Sequence, residues 1–130
     1  MSKHEINPEE LPSLTDFDLS AQADSGGVSL HLFDHNILDC FQSHLSPYVA
    51  SIMDHHADEH AYEVDKRVEF RGSAISMVLD EILSDEAATE AILDSETARL
   101  FAPALVLDTA NFLPKLKDKK WVEADLDVMA

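Results

Sequence analysis

Ser51-Ile52-Met53-Asp54-His55-His56 is a short apolar run that ends in one carboxylate and two adjacent imidazoles. Aspartate and neutral histidine are ligands that borderline and hard divalent metals accept together. Consecutive side chains on a strand point to opposite faces, so neighbouring histidines serve one site only where the strand gives way to a turn. The reading that decides the fold is therefore a strand over residues 48–53 running into a loop that carries ligands. Alone, the tripeptide also fits a solvated loop that binds nothing.

Two further runs repeat the pattern. Residues 28–33 are mostly apolar and end in Asp34-His35-Asn36, and Leu105-Val106-Leu107 ends in Asp108 followed by Thr109. Parallel sheets place their ligand crevice at the C-terminal ends of the strands. Residues 37–47, with Leu38, Phe41 and Leu45 spaced for one face, read as an amphipathic connection between strands 28–33 and 48–53. A strand, a crossover and a parallel strand would bring Asp34 and His55 to the same sheet edge. His31, inside the first strand, reads as a packed or edge histidine.

These residues resemble the DHH phosphoesterase superfamily, in its branch of exopolyphosphatases, prune proteins and family II inorganic pyrophosphatases. Phe33-Asp34-His35-Asn36 is similar to the second family motif and Asp54-His55-His56-Ala57-Asp58-Glu59 to the third, with the Asp58-Glu59 extension closer to the exopolyphosphatases. Leu107-Asp108-Thr109 with Asn111-Phe112 resembles the fourth, and Gly72-Ser73 looks like the family's helix opening after the third. The matches fall in family order from about Leu11 onward. The family also has a first motif, Asp-x-Asp after a hydrophobic strand, and a second domain with basic substrate contacts. Asp16-Phe17-Asp18 follows Pro12-Ser13-Leu14-Thr15 instead of such a strand, so it does not read as that ligand pair. The chain accordingly reads as the central part of a larger catalytic domain.

The resemblance implies an α/β fold, a partial doubly wound parallel sheet with flanking helices, and hydrolysis of a phosphoanhydride in polyphosphate or pyrophosphate. It implies a two-metal site loaded with Mn²⁺ or Mg²⁺, Co²⁺ being a further option, in which Asp34 bridges the ions and His55 and Asp108 are ligands. His56 would face the phosphate as donor or acid, and Asp54 would orient an imidazole. Gly72 and Ser73 would offer backbone N–H groups to an anion, the alternative being an ordinary Ser73 helix cap. Two other readings stand beside the hydrolase: a catalytically incomplete remnant that binds a divalent metal or a protein partner without turnover, and an acidic interaction protein with incidental histidines. The missing partner of the site would be another domain of the same full-length protein.

Composition bounds these readings. The 130 residues leave room for one domain, read here as a polar segment over 1–27 and a partial catalytic domain over 28–130. Hydrophobic content of 45% suffices for a core. A formal net charge of −17, from 26 acidic and 9 basic residues, argues against nucleic acid or an anionic membrane surface as partner, because both require basic clusters. An anionic substrate must then be met by metal ions or by basic groups from elsewhere. Cys40 is the single cysteine, which excludes an intrachain disulfide and fits a reducing compartment; with no apolar run of membrane-spanning length, the expected location is the cytoplasm.

The remaining elements follow from spacing and punctuation. Asn7-Pro8-Glu9-Glu10 reads as a helix start, and Ser25-Gly26-Gly27 as a turn. Val68-Glu69-Phe70 reads as a third strand, and Asp58, Glu59, His60 and Glu63 as solvated. Ile75, Val78, Leu79 and Ile82 repeat at helical spacing behind Gly72-Ser73. A helix is expected over 86–93. Another starts near a Ser95 cap and runs toward Asp108, kinked or restarted at Pro103. Residues 105–107 alone also permit a strand; the resemblance implies a helix. Lys115, Lys117, Lys119 and Lys120 read as a solvated loop, the alternative being a cluster that meets phosphate, ahead of a short acidic amphipathic segment with Trp121 and Leu126.

Overall fold

The structure is a computed structural model that describes residues 18–129 together with Glu10, Ser13 and Asp16. The helix start expected at Asn7-Pro8 lies outside the described residues. Strands β1 (Leu30–Phe33), β2 (Val49–Asp54) and β3 (Asp65–Val68) form one parallel sheet in sequence order. Helices α1 (Leu19–Asp24), α2 (Ala74–Ser84), α3 (Glu86–Ile92), α4 (Ser95–Asp108) and α5 (Glu123–Asp127) complete an α/β arrangement.

Leu32 lies opposite Ile52 across the β1–β2 ladder, and with Val49 these side chains form a buried cluster. Leu30, Leu38, Tyr62, Val64 and Val68 pack around it. Both strands are apolar because one face meets this cluster. The connection between them, Cys40–Tyr48, is a 3₁₀ helix capped by Asp39. Its period of three residues per turn breaks the α-type spacing expected there: Leu45 is buried, whereas Phe41 is 69% exposed.

The third strand sits three residues upstream of the expected Val68-Glu69-Phe70. Asp65, Lys66, Arg67 and Val68 pair with Ser51, Ile52, Met53 and Asp54. Lys66 reaches Asp58 at 2.7 Å, while Arg67 joins Glu69, Asp80 and Glu81. Charged side chains are compatible with a strand at the edge of this sheet. Arg71 also donates to Asp80 at 2.9 Å, tying the end of β3 to α2.

Helix α2 is capped by Ser73, whose Oγ accepts from the Ile75 N–H. Its most buried positions are Ser76, Met77 and Leu79; Ile75, Val78 and Ile82 are only partly buried. Helix α4 runs uninterrupted through Pro103, and its cap is Asp94, one residue before the expected Ser95. Leu105 is fully buried on it, so residues 105–107 are helical. After α4, Ala110, Asn111 and Phe112 all have φ near +50°, which turns the chain sharply back. Phe112 then meets the buried Trp121 edge-on, and the Trp121 indole donates to the Leu113 carbonyl. No helix among the described residues is long and apolar enough to cross a membrane.

Candidate metal centre

Parallel pairing delivers the ligand-type residues to one edge. β1 ends at Phe33, one residue before Asp34, and β2 ends in Asp54; the Asp34 N–H still donates to the Met53 carbonyl at 3.0 Å. Asp34 then leaves the sheet with φ +65°, a left-handed conformation that aspartate tolerates better than most residues. This swings its carboxylate toward the β2 exit, where His55 Nε2 lies 3.0 Å from Asp34 Oδ1. One donor atom each from Asp34, His55 and His56 lies within 4.8 Å of the others.

The hydrogen bonds decide what these atoms can do. His55 Nδ1 lies 3.0 Å from the Arg71 carbonyl, which only accepts, so that nitrogen carries the ring proton. Nε2 of the neutral ring is then an acceptor, and it faces a carboxylate oxygen, also an acceptor. Two acceptors at this separation require a cation between or beside them, either a second ring proton or a metal ion. The donor set therefore fits a divalent metal, with Asp34, His55 and His56 as the residues that converge on it.

His56 is tied to Asp54 through Nδ1, 2.8 Å from Oδ1, so its Nε2 remains for another partner. Asp54 is fully buried. Burial pushes its carboxyl up, but the hydrogen bonds from His56 and Asn36 outweigh that effect and hold it below the usual aspartate value. Asn36, whose role the sequence did not disclose, is buried at the centre of the loop. Its amide donates to Asp54 Oδ2 and to the Ala57 carbonyl, and its Oδ1 accepts from the Glu59 N–H. The signal available in sequence was an amide two residues beyond Asp34, a side chain able to donate and accept at once.

Asp108 lines the same cleft but accepts from Ser73 Oγ at 2.6 Å, and it stands outside the set of three converging donors. Ser73 thus caps α2 and holds Asp108 together. The Gly72 N–H donates to Asp125 Oδ2 at 2.8 Å. Asp125 is a second residue with no sequence signal: fully buried, it also accepts from Ser76 Oγ and from the Val122 N–H. A Cβ on Gly72 would lie 2.6 Å from Thr109 Cγ2 and 2.8 Å from the Lys120 carbonyl, so only glycine permits this approach. The cleft, about 560 Å³, is open and is also lined by Lys119 and Lys120.

Of the other expectations, His31 is an edge histidine, with Nδ1 2.7 Å from Ser51 Oγ. Asp18 caps α1 by accepting from the Ala21 N–H, and neither Asp16 nor Asp18 joins the metal-type cluster. Asp58 is not simply solvated, since Lys66 holds its carboxyl below the usual range.

No protein-family model and no solved structure matches the chain. Among curated proteins, the chain is 36% identical over 124 residues to the human protein named exopolyphosphatase PRUNE1, a match covering 89% of the chain and 27% of that protein. It is 33% identical over 115 residues to the rat and mouse proteins of the same name, covering 83% of the chain and 25% of each. The chain thus spans about a quarter of the length of the curated relatives it matches.

Proposed function

We propose that the chain, which matches the exopolyphosphatases named PRUNE1 over about a quarter of their length, is part of the exopolyphosphatase and prune branch of the DHH phosphoesterases and carries the central metal-binding part of a phosphoanhydride hydrolase. The substrate class is polyphosphate or pyrophosphate, from which phosphate is released, and the metals that suit mixed carboxylate and imidazole donors are Mn²⁺, Mg²⁺ and Co²⁺. The observation that carries this reading is the facing pair of acceptors, His55 Nε2 and Asp34 Oδ1, at the C-terminal ends of parallel strands.

When bound, divalent ions supply Lewis acidity and a water acidified toward neutral pH. The chain's own residues do the rest. Asp34 presents a largely exposed carboxylate from a strained turn. The Arg71 carbonyl fixes the His55 ring with Nε2 toward that carboxylate. Asp54 accepts from His56 Nδ1, which leaves His56 Nε2 open toward a phosphate oxygen, where a proton held on that nitrogen would be passed to the leaving group. Asp108 would join the set only by giving up its hydrogen bond from Ser73 Oγ.

The test is phosphate release from short-chain polyphosphate and from pyrophosphate with Mn²⁺ or Mg²⁺, by the wild-type chain and by His55→Ala. Metal-dependent release that falls at least about 100-fold in the variant supports the hydrolase reading. A second reading, a remnant that holds one divalent ion without turnover, is favoured by a single observation: three donors converge among the described residues, while Asp108 is engaged elsewhere. Mn²⁺ binding without release from either substrate would select it.

A further inference from the structure

The cleft that holds Asp34, His55 and His56 also contains cations that an acidic chain would be expected to neutralise. Most other basic side chains are so neutralised: Lys66 by Asp58, Arg67 by Glu69 and Asp80, Arg71 by the same two carboxylates, and Lys117 by Glu123. Lys119 and Lys120 are exposed, line the cleft, and make no ion pair among the described residues, although acidic residues outnumber basic ones 26 to 9.

Their position is built, not incidental. The Lys119 and Lys120 N–H groups both donate to the Leu116 carbonyl, and the Asp118 N–H donates to the Trp121 carbonyl, closing a tight turn with Asp118 at φ +60°. The buried Trp121 anchors the turn from one side. From the other, Asp125 grips both the turn's exit, through the Val122 N–H, and the metal-side loop, through the Gly72 N–H. The absence of a side chain at Gly72 allows the Lys120 carbonyl to lie against that loop. One buried carboxylate therefore fastens the lysine turn to the loop that follows the histidines.

We infer that Lys119 and Lys120 form a cationic wall that holds the non-reacting end of a condensed-phosphate chain whose reacting phosphate lies at Asp34, His55 and His56. This rests on the hydrolase reading for its substrate and adds to it that part of the charge neutralisation lies within this chain. An ammonium is a strong, orientation-tolerant partner for phosphate oxygens, and removing it weakens binding without touching the metal donors.

The experiment measures equilibrium binding of methylenediphosphonate, a non-hydrolysable diphosphate analogue, and of inorganic phosphate by calorimetry, with and without Mn²⁺. The proteins are wild type, Lys119→Ala/Lys120→Ala and Lys119→Arg/Lys120→Arg, with emission of the single tryptophan, Trp121, reporting that the turn is intact. The alanine pair is expected to bind diphosphonate about tenfold more weakly, with Mn²⁺ affinity unchanged, inorganic phosphate little changed and the arginine pair near wild type. Unchanged diphosphonate affinity in the alanine pair overturns the inference, as does an equal loss for both anions, which would indicate a general field. Failure of wild type to bind Mn²⁺ overturns the metal centre alone. Diphosphonate held more tightly by metal-free wild type than by the metal-free alanine pair still supports the wall, and diphosphonate ignored by wild type in every condition overturns it.

Discussion

Asp54 is the residue on which the candidate centre turns, because it is wholly buried and held by the His56 ring and the Asn36 amide. It is kept ionised by His56 and Asn36 against the cost of burial. Its carboxyl lies below the ordinary 3.8 in the folded chain, so the stability it contributes is fully present above 3.8 and is lost as pH falls through the lower folded value. An acid titration of folding followed by circular dichroism should therefore show a loss below 3.8 that is reduced in Asp54→Asn; identical acid profiles would contradict this. Asn36→Ala removes the partner of Asp54 Oδ2, the Ala57 carbonyl and the Glu59 N–H together. Urea unfolding should show a loss of about 3 kcal/mol, within the range for stranding buried polar groups. A loss below about 0.5 kcal/mol, the level of an ordinary surface change, would mean that water replaces the amide.

At the level of elements, the junction between the 71–73 loop and the α4 and α5 ends is what unites the two halves of the site. Gly72→Ala places a methyl group 2.6 Å from Thr109 Cγ2 and 2.8 Å from the Lys120 carbonyl. Backbone has to move, so chemical denaturation should show a loss of about 2 kcal/mol, typical of overpacking; wild-type stability in this variant would show that the approach is loose. The same junction explains what could be read from sequence. The runs ending in Asp34 and Asp54 announced β1 and β2 because their apolar residues meet a local cluster, and Gly72-Ser73 announced α2 because a cap is a local event. The apolar spacing announced the helix but not its buried face, because Ser76 is buried by its bond to Asp125, 49 positions away, which no periodicity encodes. β3 was misplaced because its Lys66 and Arg67 are admitted by ion pairs, not by hydrophobic alternation. The 3₁₀ path of Cys40–Tyr48 likewise moved Phe41 to the surface. In the site, Asp34 and the two histidines are legible as adjacent chemistry, whereas the place of the exposed lysine turn beside the cleft is not, because it depends on the Asp125 clamp.

For the whole molecule, a net charge of −17 opposes compaction and repels phosphate polyanions, and both effects are relieved where cations gather. The sheet edge concentrates acceptors in the manner a divalent ion requires, and the related exopolyphosphatases named PRUNE1 span about four times the length of this match. The claim that holds the account together is that Asp34 is the focal ligand of a metal centre, with Asp108 in a lesser position. The most direct measurement is calorimetric titration of Mn²⁺ into wild type, Asp34→Ala and Asp108→Ala. The account predicts that wild type binds, that Asp34→Ala loses binding altogether, and that Asp108→Ala retains it with an affinity reduced by about tenfold. Equal affinities in wild type and Asp34→Ala, or equal losses in the two variants, would contradict it.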